Sequence, residues 1–220
     1  GDGVLENTLP AFEAARAYGV WGIECDVRWT ADRVPVISHD PTGARVFGRP
    51  DSIAELPLAT LRRLMPQLPT LADVVGEFGG TTHLMLEIKA PLPPDVGEGG
   101  RILGEHLAGL TPVRDYHILA LAPELFAVVD GLPRASYCLV AETNIRRLSR
   151  TALELGCGGL AGHYLLLGQS TLQRHHRAGQ CLGTGFISSR HCLYRELNRG
   201  MDWIFSNHAV RLQKICDEAK

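Results

Sequence analysis

The residues best suited to chemistry in this chain are acids and bases spaced two apart. Glu24 and Asp26 lie in the run GIECDV (Gly22–Val27). Strand alternation sends both to one face, with Ile23, Cys25 and Val27 on the other. Two carboxylates on the inner face of a strand repel each other and are poorly solvated, and a divalent cation relieves both problems. The other reading is a surface strand with two solvated acids; the apolar neighbours Ile23 and Val27 favour metal binding. Glu87 and Lys89 repeat the spacing in HLMLEIK (His83–Lys89). Alone, that pair reads as an ordinary Glu–Lys contact at a strand end. Joined to Glu24 and Asp26, Glu87 becomes a third oxygen donor for a hard cation, and Lys89 suits an anionic phosphoryl oxygen.

His39, followed by Asp40, is the remaining reactive candidate. An imidazole beside a metal–carboxylate cluster can act as general acid or base, because histidine in general titrates near working pH. A lone histidine is more often a satisfied polar group. The other eight, including His83 and the pair His175–His176, have no such setting and read as structural or surface groups. His163, after the Cys157–Gly162 run, is an outside candidate for substrate contact.

The elements that must position these groups alternate strand and helix. Apolar β-rich runs occur at Trp21–Val27, His83–Ile88, Tyr116–Leu121, Ala135–Val140, Cys157–Ala161, Cys181–Ile187 and Asp202–Ser206. Helical patterns separate them, as at Ile145–Leu155 and Cys192–Arg199. The first helix has Thr8 as N-cap candidate, Pro10 in its first turn, Gly19 at its end, and a packing face of Ala11, Phe12, Ala15 and Tyr18. Such alternation predicts a parallel sheet with helices outside. Val34–Ser38 breaks the pattern, because it follows Val27 too closely for a parallel crossover. It reads as the returning arm of a hairpin turning at Ala31-Asp32-Arg33-Val34, an excursion over 28–39 at the catalytic end. Counting from that turn sets His39 opposite Asp26. Seven barrel-type strands remain where a barrel needs eight, so the expectation is that one strand precedes Gly1.

Five runs in order, ENT (Glu6–Thr8), GIECDV, VPVISHD (Val34–Asp40), LPTLADVV (Leu68–Val75) and LEIK (Leu86–Lys89), resemble the glycerophosphodiester phosphodiesterase family. The resemblance implies a (β/α)8 TIM-type barrel, over 1–220 as a single domain. It implies hydrolysis of glycerophosphodiesters to sn-glycerol 3-phosphate and an alcohol, with a divalent cation, Ca²⁺ or Mg²⁺, held by Glu24, Asp26 and Glu87. His39 matches one of two catalytic histidines, and Lys89 matches the lysine near the phosphate. The second histidine belongs to an HRG motif, of which Gly1 resembles the glycine, so it is expected upstream of Gly1. Beyond Lys89 the likeness thins: CLGTGFISS carries Gly185 and Ser188 where the family has Trp and Asn. Two other readings remain, a phosphodiesterase for lysophospholipid or sphingomyelin and a non-catalytic phospholigand-binding barrel. The Pro91–Gly100 loop offers little apolar surface, which favours a soluble, small-molecule phosphodiester.

The 220 residues are 45% hydrophobic, enough for one substantial core. A formal net charge of −2 gives no reason to expect nucleic acid, and no basic run suggests a polybasic anchor. No apolar stretch is long enough to span a bilayer. Six cysteines without a CxxC pair point to a reducing compartment, read as the cytoplasm; any signal peptide would precede Gly1. Oligomeric state is not written in the sequence.

Overall fold

In the computed structural model, which describes residues 4–218, the expected alternation folds into one curled sheet with helices outside. Seven strands are parallel: β1 (Gly22–Trp29), β3 (His83–Ile88), β4 (Tyr116–Ala120), β5 (Tyr137–Ala141), β6 (Gly159–His163), β7 (Cys181–Gly185) and β8 (Trp203–Ile204). The eighth, β2 (Pro35–Ile37), is the antiparallel hairpin arm on β1, and the order runs β2-β1-β3-β4-β5-β6-β7-β8. This is the TIM-type arrangement, open between β1 and β8 among the described residues. Gly1 lies outside them.

The helices are α1 (Leu9–Ala17), α2 (Ala44–Phe47), α3 (Leu58–Leu64), α4 (Leu71–Phe78), α5 (Val96–Leu107), α6 (Ile145–Leu155), α7 (Gln169–Arg177), α8 (Arg190–Arg199) and α9 (Ala209–Asp217). Thr70 and Asp73 of the LPTLADVV run form a reciprocal capping box that starts α4. Gly19, at φ 71°, ends α1 as expected. Two details of α1 differ. Thr8 holds the N-cap position as expected, but its hydroxyl donates to the Leu5 carbonyl at 2.6 Å instead of accepting from the first turn. Tyr18 stays exposed beneath Lys214, leaving Phe12 as the buried anchor against Phe78.

The hairpin register is corrected by one residue. Val27 faces Ile37 and Trp29 faces Pro35, so Ser38, whose N–H donates to the Asp26 carbonyl, stands opposite Asp26 and His39 lies one residue beyond. The cause is a three-residue loop rather than a four-residue one. Arg33 adopts the left-handed conformation, φ 64°, which closes the hairpin between Thr30 and Val34. The excursion is also longer than 28–39. It carries α2 and α3 around a satellite core of Val36, Ile53, Leu61, Met65 and Leu68, and rejoins the barrel where Ile37 bonds Pro69.

The barrel lumen is filled by Met85, Leu119, Cys138, Ala161 and Trp203. Glycine at 159 and 183 leaves room for the aromatic side chains here: a Cβ would lie 2.8 Å from the Trp203 ring at the first and 2.6 Å from Phe205 at the second. Below this layer His83 and His117 plug the barrel floor. The Arg114 carbonyl can only accept, so His83 carries its proton on Nδ1, and its Nε2 accepts from His117 Nδ1–H at 2.8 Å. Trp21 stacks on His83 and Trp203 packs edge-on against His117.

Burial first, and then the neighbouring His83, depress the His117 pKa from 6.5 to about 4. The unfolded chain therefore takes up a proton that the folded one refuses. Stability contributed by this group is complete above 6.5 and is lost as pH falls toward 4, by about 2–3 kcal/mol. Urea unfolding at about pH 7 and about pH 4.5 should show this acid loss, and His117→Gln should flatten it while lowering stability at neutral pH.

Candidate active site

The parallel register of β1 and β3 sets Asp26 opposite Glu87 and Glu24 opposite Met85. Alternation then lines His83, Met85, Glu87 and Lys89 up the inner side of the sheet, beside Glu24 and Asp26. Carboxylate oxygens of Glu24, Asp26 and Glu87 lie within 4.8 Å of one another. Lys89 Nζ stands between two of them, 2.9 Å from Asp26 Oδ1 and paired with Glu87 Oε1. Four of the five expected site residues are thus in one place.

Electrostatics show that this pocket is short of positive charge. Three carboxylates against one ammonium leave a formal charge of −2. Asp26 and Glu87 are buried, whereas the Glu24 side chain reaches solvent within walls of surrounding protein. That walled-in position, with the charges of Asp26 and Glu87, holds the Glu24 carboxyl well above the usual range. Burial also raises Glu87, against the pull of Lys89. Burial opposes the charge of Lys89, but Glu87 and Asp26 outweigh it and keep the ammonium above its ordinary value. Three converging carboxylates with this deficit suit a hard divalent cation.

His39 sits at the edge of the cluster. Its ring is half-exposed and its Nδ1 bonds Asp40 Oδ1 at 2.8 Å. Its charge bears on Glu87 and on Glu6. Asp40 is fixed in turn by Arg45, which spans Asp40 and Glu6 with two contacts of 2.6 Å. The Arg45 hydrogen bond, aided by His39, depresses the Asp40 carboxyl to about 2. An ionised Asp40 accepts the His39 Nδ1 proton and leaves Nε2 as the free ring nitrogen.

Sequence reasoning missed the groups that hold this arrangement. Asn7, in the left-handed conformation at φ 54°, clamps Asp26 twice. Its Nδ2 donates to Asp26 Oδ2 at 2.8 Å, and its Oδ1 accepts from the Asp26 backbone N–H at 3.2 Å. Arg28 ties the His39 carbonyl to that of Ala90, just past Lys89. The ENT run contained Asn7, and Arg28 shares the inner-face alternation of Glu24 and Asp26, so both signals were present. His163 ends β6 on the inner face. Its ring is sandwiched between Tyr164 and Phe186, at 4.6 and 5.1 Å, and its Nδ1 accepts the Leu165 N–H. A Cβ on Gly185 would meet only the Gly162 carbonyl at 3.9 Å, so that position is roomy.

Fold and pocket together define a TIM-type barrel with a cation-ready carboxylate cluster at the C-terminal ends of its strands. Residues 1–105 match the model of the Glycerophosphoryl diester phosphodiesterase family. Glycerophosphodiester phosphodiesterase 1 of Bos taurus is 33% identical over 85 residues, covering 33% of this chain and 26% of that protein. The human protein of the same name is 32% identical over 85 residues with the same coverage. The match therefore spans about a quarter of these relatives' length. Solved structures extend the likeness over the fold. A glycerophosphodiester phosphodiesterase from Thermotoga maritima superposes with TM-score 0.82 at 21% identity, covering 96% of this chain and 92% of that one. A phosphodiesterase from Oleispira antarctica, in complex with the product sn-glycerol-3-phosphate, gives 0.80 at 23% identity, covering 96% and 91%.

The charge shortfall is testable through Lys89. Lys89→Met should cost about 3 kcal/mol near neutral pH by leaving the carboxylates uncompensated. Added Ca²⁺ or Mg²⁺ should restore much of the melting temperature. Acidification should narrow the gap to wild type, because raised folded-state pKa values favour the protonated, folded form at low pH. A variant as stable as wild type in chelator would contradict the shortfall.

Proposed function

We propose that the protein hydrolyses glycerophosphodiesters to sn-glycerol 3-phosphate and an alcohol, using a divalent cation, Ca²⁺ or Mg²⁺, bound by Glu24, Asp26 and Glu87. The observation that carries this reading is the convergence of those three carboxylates beside Lys89. The match of residues 1–105 to the family model and the fold likeness to the product-bound Oleispira antarctica structure support it.

A bound cation supplies Lewis-acid polarisation of the phosphoryl group and neutralises developing charge. The remaining work falls to the chain's own residues. Lys89, kept protonated by its two carboxylates, donates to a phosphoryl oxygen. Asn7 holds Asp26 in register for the pocket. With Nδ1 committed to Asp40, His39 works through Nε2, either taking the proton of the water that attacks phosphorus or giving one to the departing alcohol oxygen. A water O–P bond forms, the ester O–P bond breaks, and one proton passes from water to alcohol overall.

Among the described residues no helix is long and apolar enough to cross a membrane. Six free cysteines fit a reducing compartment, which we take to be the cytoplasm. A second reading, a lysophospholipid or sphingomyelin substrate, gains support from exposed Leu165, Leu166 and Phe186 in the loops that follow β6 and β7.

The test is release of sn-glycerol 3-phosphate from glycerophosphocholine. Glu24→Gln and Glu87→Gln should each lower kcat about 100-fold or more and weaken Mg²⁺ or Ca²⁺ binding in parallel. His39→Ala should lower kcat by about 10²–10⁴ while leaving metal affinity near wild type. Full turnover in either glutamine variant would dismiss the assignment.

A further inference from the structure

We propose that the rim of the barrel around β5–β7, at the end where the carboxylates open, docks on an anionic lipid surface. The inference rests on the phosphodiesterase reading only for what docking would serve; the surface itself is argued from other residues.

Three large apolar side chains stand out on this rim. Leu165 and Leu166 follow β6 and are 68% and 45% exposed, and Phe186 follows β7 at 73%. The two strands are hydrogen-bonded neighbours, and the loops are joined because both Phe186 and Leu165 contact His163. Single exposed leucines need no explanation, but a joined apolar group at one end of a barrel marks a contact surface. Phe186 strengthens the point. It holds a left-handed φ of 67°, strained for a bulky residue, while presenting its ring to water.

Charge beside these loops identifies the partner. Helix α6 begins at the same end, just after β5, and carries Arg146, Arg147 and Arg150 on its exposed side. None of the three is ion-paired with an acid among the described residues, a condition they share with Arg174 and Arg177 of α7, and the exposed Glu142 just before α6 is the nearest acid in sequence on this rim. Arg146 and Arg147 sit in the first helical turn, where the helix dipole disfavours cations, and no acid accompanies them there. Unpaired cations in an unfavourable place, next to apolar loop tips, complement a surface that is anionic outside and apolar within. That is a lipid interface with acidic headgroups. Arginine stems can lie along it with their guanidinium groups at headgroup level. The phosphodiester pocket opens at the same end, so docking would present it to a phosphodiester lying in the lipid plane, such as a lysophospholipid.

Sedimentation of the full chain with vesicles tests the idea, comparing phosphatidylcholine alone with phosphatidylcholine–phosphatidylserine mixtures. Wild type should bind the mixed vesicles and release them in high salt. Arg146→Gln/Arg147→Gln should weaken binding by about 25-fold, from roughly 5-fold per arginine. Leu165→Ser/Leu166→Ser should weaken it by about 10-fold or more even at low salt. Melting temperatures and turnover of water-soluble glycerophosphocholine report separately on folding and on the proposed activity, and should stay near wild type in both variants. Absence of binding to mixed vesicles, or binding indifferent to both double substitutions, would overturn docking and leave the hydrolase reading intact. Binding that needs membrane proteins and fails on pure lipid would equally overturn it, in favour of an acidic protein partner.

Discussion

Everything at the catalytic end of this barrel follows from three carboxylates confined where they repel one another. Parallel pairing of β1 with β3 sets Asp26 beside Glu87, and strand alternation adds Glu24 two residues below. Lys89 answers one of the charges and leaves the rest. Such a cluster is stable only if the surrounding fold enforces it and if something positive completes it. Lys89 and the divalent cation proposed for this pocket both answer that single electrostatic demand.

Enforcement comes from parts of the chain far apart in sequence. Asn7 arrives ahead of α1 to hold Asp26 at both backbone and side chain. Arg28 spans the hairpin and the loop after β3, so the His39 backbone is tied to the same end as Lys89. A relay from Glu6 through Arg45 and Asp40 fixes the imidazole. The excursion carrying α2 and α3 therefore does more than decorate the barrel: it supplies Arg45, and its satellite core keeps the hairpin arm upright.

Much of this was legible in the sequence, for identifiable reasons. Apolar runs such as His83–Ile88 and the helical face of Ile145–Leu155 appear in the structure with the same bounds, because burial on a sheet or helix leaves a periodic trace. The two-residue spacing of Glu24, Asp26, Glu87 and Lys89 predicted a common face, and the structure brings them together. The register at His39 slipped by one because a single left-handed Arg33 shortens the loop, and no residue type announces that. Helices of four and seven residues in the excursion are too short to show a period. The apolar rim leaves no trace in the sequence because loops carry no periodicity: its exposed side chains are Leu165, Leu166 and Phe186, outside the Pro91–Gly100 loop.

The central claim is that Glu24, Asp26 and Glu87 share one cation. The most direct measurement is an anomalous difference map from crystals soaked in Mn²⁺. One strong peak in contact with carboxylate oxygens of all three residues is the predicted result. A map featureless at this pocket under saturating Mn²⁺, or a peak bound by other residues alone, would contradict the account.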